Sequence, residues 1–216
     1  MRSKFDEQMK QLNEEMMHMG SMIEYAIQNA MHAFLNSDKK LAEKIMNGDT
    51  DIDQEQKRIE NLCYTLLIQR QPVAKDLRNI TAAMKMVTDM ERIGDQAADI
   101  SEITCNMTGN PDILNENHLN KMASETVIML IHSIEAYVEK DMEKAQRVID
   151  HDDVIDDLFV KVKNDLIKFI SENPDEGEQA ADLLMVNKYL ERIGDHATNI
   201  AEWVIFSLDD KIQKSV

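Results

Sequence analysis

The feature that most constrains this chain is an internal duplication. Residues 91–95 read ERIGD, and the same five residues recur at 191–195, which is 100 positions later. The identity extends to three further pairs at the same offset: Ala97 and Ala197, Ile100 and Ile200, and Glu102 and Glu202. Because a match of this length is improbable by chance, we interpret the chain as two copies of one structural unit.

Each copy of the motif is predicted to lie on a helix that packs against other helices. Apolar residues around it step alternately by three and four, which is the spacing of a buried helical seam. The seam residues are Ala83, Met86, Met90, Ile93, Ala97 and Ile100 in the first copy, and Leu183, Val186, Leu190, Ile193, Ala197, Ile200 and Val204 in the second. Every fourth residue on another face belongs to an acidic row, which consists of Glu91, Asp95 and Asp99 in the first copy and of Glu191, Asp195 and Asn199 in the second.

The motif is unfavourable for an isolated helix. Like charges one turn apart oppose helix formation by a few tenths of a kcal/mol per pair. Gly94 and Gly194 each cost about 1 kcal/mol relative to alanine inside a helix. Both penalties are repeated together, which indicates that something other than helix stability retains them.

The two acidic rows are candidate metal sites. Carboxylates one turn apart can converge on a hard cation such as Mg²⁺, Mn²⁺, Ca²⁺ or iron. The alternative is a solvated helix face, because a chain with 41 Asp and Glu residues contains acidic pairs by chance. In that case the glycines serve close helix packing, and Arg92 and Arg192 offset the local negative charge.

The first half is predicted to contain three helices. The first has a long apolar seam, formed by Phe5, Met9, Leu12, Met16, Met19, Ile23, Ala26, Ala30 and Ala33. Residues 36–38 bend the chain, and Asp38 caps a continuation over 39–47 that Gly48 ends. A second helix runs from about 50 to 69.

The third helix is predicted to start after a break at residues 71–72, with Pro72 in its first turn. It carries the first ERIGD unit and stops near 108–111. The second half repeats this plan at an offset of 103 residues, so that Asp38 corresponds to Asp141.

A second repeated pattern, D-x-x-I-D, occurs at Asp49, Ile52 and Asp53 and again at Asp152, Ile155 and Asp156. We interpret Asp49 and Asp152 as favourable charges at the N-terminus of a helix. Residues 173–176 are predicted to cap the sixth helix, which runs to about Leu208. The expected fold is all-α, with six helices in two similar three-helix bundles that cover residues 1–109 and 110–216.

Composition restricts the partners and the compartment. A formal net charge of −17 argues against nucleic acid and against an anionic membrane surface as direct partners. No apolar stretch reaches 18 residues and the start lacks a signal peptide, so we expect a cytoplasmic protein without membrane insertion. Cys63 and Cys105 lack the spacing of a zinc site and are predicted to be small core residues.

Enzyme classes receive little support from the sequence. There is no phosphate-cradling glycine loop and no nucleophile signature. A ferritin-like di-metal bundle, as an oxidase or a metal store, needs Glu-x-x-His on two helices, whereas this chain has it once, at Glu15 and His18. We interpret that pair as solvated, and we expect His196 to have a structural or solvent role and not that of a ligand. A plain helical dimerisation scaffold is a third possibility.

Three segments together resemble the PhoU family of regulatory proteins that accompany the bacterial high-affinity phosphate transporter. They are residues 70–78 (RQPVAKDLR), residues 89–95 (DMERIGD) and residues 190–200 (LERIGDHATNI). The resemblance covers nearly the whole chain. It implies two three-helix bundles related by a pseudo-two-fold axis, and a non-catalytic regulator that represses the phosphate-starvation response and restrains phosphate uptake.

The resemblance also implies a ligand set and partners. The family's E(D)xxxD motifs bind metal ions, and they correspond here to Glu91 with Asp95 and to Glu191 with Asp195. Asp99 faces the same way, whereas its counterpart Asn199 is a weaker ligand. The metal is expected to be iron, manganese, magnesium or zinc. The expected partners are the transporter's ATPase subunit and a phosphate-sensing histidine kinase, and we also expect a homodimer.

Overall fold

A computed structural model describes residues 2–70, 72–107 and 116–209 of the chain. Within these ranges the backbone forms six α-helices, one 3₁₀ turn at Pro174–Glu176 and no strand. The helices are α1 (Arg2–Leu35), α2 (Lys39–Arg70), α3 (Ala74–Asn106), α4 (Glu116–Glu139), α5 (Met142–Glu172) and α6 (Gly177–Leu208). The predicted all-α class and the number of helices are therefore confirmed.

The alternating apolar residues form the core. Every seam residue named for α3 and α6 is buried, as are the seam residues of α1 from Leu12 onward. Phe5 and Met9, in the first turns of α1, are only partly buried against that core. Since burial of an amphipathic face supplies most of the stability of a helix in a protein, the seam explains why each segment is helical.

The helices pack as two three-helix units. In the first half α1, α2 and α3 contact one another, and in the second half α4, α5 and α6 do the same. The two units meet through α3 against α6 and through α1 against α4. Each contact between the halves therefore joins a helix to its own duplicate, which is the arrangement that a pseudo-two-fold axis produces.

The turn that joins the first two helices is built in the same way in both units. Ser37 and Lys140 both adopt left-handed backbone conformations, with φ of 52° and 58°. Each is followed by an aspartate that caps the next helix: Asp38 Oδ1 accepts from the amide of Leu41 at 3.1 Å, and Asp141 Oδ1 accepts from the amide of Lys144 at 2.9 Å. The predicted bend and the Asp38 cap are confirmed.

Two predicted helix boundaries in the first half are wrong. Gly48 does not end a helix, because α2 continues through it from Lys39 to Arg70. A glycine costs a helix interior only about 1 kcal/mol, and the burial of Ile45 and Ile52 on either side outweighs that cost. Pro72 lies before the first turn of α3, which begins at Ala74.

The chain passes from the end of α5 into the 3₁₀ turn at Pro174–Glu176, and α6 begins directly after that turn. Neither Asn173 nor Glu176 makes a side-chain capping hydrogen bond, so the predicted cap of the sixth helix is also wrong. The predicted end at Leu208 is confirmed.

Some predictions fall outside the described residues. They concern the helix break at residue 71, the end of the third helix at 108–111 and the boundary between the two bundles at residues 109 and 110. That boundary stays a prediction. Cys63 is buried as expected, whereas Cys105 is only partly buried. No helix in the described part of the chain is long and apolar enough to cross a membrane.

Candidate metal centre

Two helices approach each other closely at the glycine of each ERIGD unit. A Cβ atom added at Gly94 would lie 3.1 Å from Ile52 Cγ2 and 3.5 Å from Asp49 Oδ1, both on α2. A Cβ atom added at Gly194 would lie 3.2 Å from Ile155 Cγ2 and 3.5 Å from an oxygen of Asp152, both on α5. A side chain at either position would force the facing isoleucine to shift by a few tenths of an ångström, so glycine permits this close approach.

This approach brings carboxylates from two helices together. In the first half one oxygen each of Asp49, Asp53 and Asp95 lies within 4.8 Å of the others. Oxygens bound to one cation at about 2.4 Å are at most about 4.8 Å apart, so the three oxygens are close enough to share one cation. Such a donor set of carboxylate oxygens suits hard cations.

The electrostatics of the first cluster show the crowding of negative charge. Partial burial, together with Asp95, Asp53 and Asp99, raises the pKa of Asp49 to about 6. Burial and the neighbouring Asp95 also raise the pKa of Glu91. In the absence of a cation the ionised forms are therefore disfavoured, and a bound cation would reverse that effect.

Arg92 supplies part of the compensating charge in the first half. Its Nη1 lies 3.0 Å from Asp95 Oδ2, and its Nε lies 3.6 Å from Glu91 Oε2. Because 55% of the Arg92 side chain is exposed, these ion pairs are screened by solvent and contribute little to stability. Asp49 and Asp53 form no ion pair with a described residue.

The second half has the equivalent carboxylates, but among the described residues only Asp49, Asp53 and Asp95 bring three carboxylate oxygens within 4.8 Å of one another. Burial raises the pKa of Asp152, and Asp195 and Asp156 raise it further. The pKa of Asp195 is raised by burial and by Glu191. Here Lys188 Nζ contacts Glu191 Oε2, and the position corresponding to Lys188 in the first half is occupied by a threonine.

The outer residues of the two acidic rows have different surroundings. Burial and Asp95 raise the pKa of Asp99, whereas the charge of Arg192 on α6 lowers it. Asn199 Nδ2 donates to Asp89 Oδ1 at 3.2 Å, and His196 Nδ1 lies 2.9 Å from the same oxygen. His196 thus points to the contact between α3 and α6, which agrees with the structural role expected for it.

The sequence analysis did not predict that α2 and α5 contribute carboxylates to the acidic clusters. It assigned Asp49 and Asp152 to helix N-termini, which is wrong because α2 begins at Lys39 and α5 begins at Met142. Both aspartates lie in helix interiors and face an ERIGD unit. The signal in the sequence was the repeated D-x-x-I-D spacing, whose isoleucine proves to be the residue packed on the glycine.

The interpretation of Glu15 as a solvated residue is also wrong. Only 12% of its side chain is exposed, and its Oε1 lies 3.0 Å from Arg58 Nη2. Arg58 Nη1 also lies 3.2 Å from Oε2 of the buried Glu55. Burial and a hydrogen bond with Glu15 raise the pKa of Glu55. His18 is exposed, as expected.

Comparison with known proteins agrees with the duplication. The family model described as the PhoU domain matches residues 16–104 and, a second time, residues 119–204. A relative from Clostridium acetobutylicum, named phosphate-specific transport system accessory protein PhoU homolog, is 39% identical over 210 residues, covering 96% of this chain and 95% of its own. A protein of the same name from Rhizobium meliloti is 31% identical, covering 94% and 86% of the two chains.

Solved structures share the fold. The crystal structure of PhoU from Pseudomonas aeruginosa matches with a TM-score of 0.88 at 28% identity, and the match covers 94% of this chain and 98% of that one. The phosphate transport system regulatory protein PhoU from Streptococcus pneumoniae matches with a TM-score of 0.85 at 27% identity, covering 94% and 96% of the chains.

The close approach at Gly94 can be tested with a matched pair of substitutions. Gly48→Ala, in a helix interior where an added Cβ meets nothing within 4 Å, should raise the free energy of unfolding by about 1 kcal/mol. Gly94→Ala gains the same propensity but must displace Ile52, which costs about 1–3 kcal/mol. We expect urea denaturation to place Gly94→Ala at least about 1 kcal/mol below Gly48→Ala. Equal stabilisation by both would contradict the packing argument.

The raised pKa of Asp49 predicts an unusual dependence of stability on pH. Because its pKa rises from 3.8 in the unfolded state to about 6, the folded protein binds this proton more tightly. The stabilisation of the folded state that results from this tighter proton binding is fully present below pH 3.8 and is lost as the pH rises through about 6. In chelator, Asp49→Asn should therefore be more stable than the parent at pH 7, by about 1 kcal/mol after allowance for solvent screening.

The measurement is the free energy of unfolding in urea at several pH values between about 4 and 7. Asp51→Asn is the control, since Asp51 is an exposed aspartate of the same helix. An Asp49→Asn profile that runs parallel to that of the parent would show that Asp49 does not titrate in this range.

Proposed function

The chain belongs to the PhoU family, and from that premise we propose that it is a metal-binding, non-catalytic regulator of phosphate uptake and of phosphate-starvation signalling. Its relatives are named as accessory proteins of a phosphate-specific transport system. The observation that carries the metal-binding part is the group of three carboxylate oxygens, contributed by two helices, within 4.8 Å of one another.

The proposed ligand sets combine the predicted acidic rows with the residues found on the facing helices. The first set comprises Asp49, Asp53, Glu91, Asp95 and Asp99, and the second comprises Asp152, Asp156, Glu191, Asp195 and Asn199. Asp99 and Asn199 lie at the edges of these sets, nearest to the contact between α3 and α6. Iron, manganese, magnesium and zinc remain the candidate ions.

The charge of the chain favours regulation by contact with other proteins. A net charge of −17 opposes binding to DNA, so control of gene expression would pass through a protein partner. We propose the ATPase subunit of the phosphate transporter and a phosphate-sensing histidine kinase, both reached from the cytoplasm, with a homodimer as the assembly. Cations held by the clusters would reduce repulsion at the acidic surfaces and keep coordination positions for a partner's carboxylate.

The second candidate is a metal-dependent helical enzyme or a metal store of ferritin-like type. Such bundles place their ligands inward and use Glu-x-x-His motifs. Here the carboxylates lie partly exposed between neighbouring helices, and Glu15 pairs with Arg58 while His18 is exposed. These observations favour the regulator. Sustained turnover of peroxide or phosphate esters by the metal-loaded protein would favour the enzyme.

Metal content tests the ligand sets directly. Asp49→Asn with Asp53→Asn on α2, and Glu91→Ala with Asp95→Ala on α3, should each remove the metal of the first half and leave that of the second. The reason is that each pair supplies carboxylates to one shared site. Elemental analysis of protein purified without chelator or affinity tag provides the measurement, and Asp51→Asn with Glu60→Asn is the control.

The two halves should also differ in affinity. Because Asn199 replaces an acidic ligand and Lys188 contacts Glu191, we expect the second half to lose metal first during titration with a mild chelator. Full metal content in the α2 variant would show that Asp49 and Asp53 are not ligands. Loss of metal from both halves in either variant would contradict two independent sites.

The regulatory role is tested in cells. Replacement of Glu91, Asp95, Glu191 and Asp195 by alanine should switch on phosphate-starvation genes in abundant phosphate, as deletion of the gene would. The physical reason is loss of both cation sites from surfaces that face the partners. A starvation-promoter reporter measures the effect, with immunoblotting and circular dichroism to confirm that the variant is abundant and helical. Normal repression by such a protein would mean that the acidic surfaces have no regulatory role.

A further inference from the structure

A cavity of about 440 Å³ lies between α1 and α2. Its apolar wall is formed by Met22, Tyr25, Ala26, Ile45 and Ile52. Cavities of about 300–1,000 Å³ with apolar walls and a few polar groups are typical small-molecule sites. Gly48 also lines this cavity, and a Cβ atom added there would meet nothing within 4 Å.

The duplication provides an internal control for this cavity. At the offset of 103 residues, Gly48 corresponds to His151 and Met22 corresponds to Glu125. His151 Nε2 lies 2.8 Å from Glu125 Oε2, so this pair bridges α4 and α5 at the place where the first half is open. In the second half a pair of polar side chains therefore stands where the first half has Gly48 and Met22.

The rim of the cavity carries the ammonium group of Lys44. Lys44 Nζ donates to the Tyr25 hydroxyl at 3.1 Å and lies 5.6 Å from the centre of the same ring. Among the described residues no carboxylate lies within salt-bridge distance of Lys44, although the chain has a net charge of −17. Its counterpart Arg147 does reach a carboxylate, Asp141, at 4.0 Å.

We propose that this cavity binds a small organic monoanion that has an aromatic or branched apolar body. The apolar body would fill the space next to Gly48, and the anionic group would accept a charge-assisted hydrogen bond from Lys44. Asp51 at the rim disfavours a second negative charge on the ligand. Inorganic phosphate does not fit, because it has no apolar surface for the walls.

The site is positioned to influence the acidic cluster. Ile52 lines the cavity. The same side chain would lie 3.1 Å from a Cβ atom added at Gly94. It therefore connects the cavity to the close contact between α2 and α3. Ligand binding would change the packing that holds Asp49 and Asp53 against Asp95. This consequence rests on the proposed metal binding, whereas the cavity itself does not.

The test uses the full chain with labelled isoleucine and methionine methyl groups and 2-naphthoate as the probe. We expect saturable shifts of the Ile45, Ile52 and Met22 methyl signals, with a Kd on the order of 1 mM. The uncharged 2-naphthamide should bind about fivefold more weakly, because it lacks the anion that Lys44 binds. Absence of saturable shifts at these three methyl groups, or equal affinity for both probes, would overturn the proposal.

Two variants serve as controls. Gly48→His with Met22→Glu transfers the closing pair of the second half and should abolish binding of both probes. Lys44→Met should remove the preference for naphthoate and retain binding of naphthamide. An unchanged Ile155 methyl signal shows that each variant is folded, and all measurements are made in chelator, so that a failure of the metal proposal leaves the result interpretable. Undiminished binding by the closed variant would place the probe elsewhere and contradict the assignment.

Discussion

The close contact between neighbouring helices at Gly94 and at Gly194 is the constraint on which the rest of the site depends. At both places an isoleucine of the facing helix occupies the space that a side chain would need. The contact is apolar and buried, and it occurs in both halves. It also places the aspartates on either side of that isoleucine next to the facing helix. The acidic clusters are thus a consequence of how the apolar seams pack.

In this arrangement helix packing and electrostatic repulsion have opposite effects on the stability of the fold. Burial of Ile52 and Ile155 stabilises the helix pairs. The pKa values of Asp49 and Asp152 beside them are raised by partial burial and, to a smaller extent, by the neighbouring carboxylates. A cation would relieve the repulsion without disturbing the packing. The duplicated halves have also diverged: Asp99 corresponds to Asn199, and Gly48 corresponds to His151. The shared framework therefore carries two acidic clusters of unequal composition, and the residues that line the cavity at Gly48 differ from their counterparts in the second half.

Much of the fold follows from local spacing. The alternation of three and four predicts the buried residues of α3 and α6 because a helix presents the same face at that interval. Gly48 was misleading because glycine is a common helix terminus, and only tertiary burial on both sides of it keeps α2 continuous. The acidic rows of α3 and α6 could be read from the sequence since their members share one helix. Asp49 and Asp53 could not be assigned in the same way, because their role depends on which face of α2 meets Gly94.

The most direct test is the anomalous scattering of crystals of the protein grown with Mn²⁺. We expect one set of anomalous peaks among Asp49, Asp53 and Asp95 and a second set among Asp152, Asp156 and Asp195. The two sets should be related by the pseudo-two-fold axis, with lower occupancy in the second half. Peaks bound by only one helix of each pair, or no peaks at either cluster, would contradict the claim that helix packing at the glycines builds the metal sites.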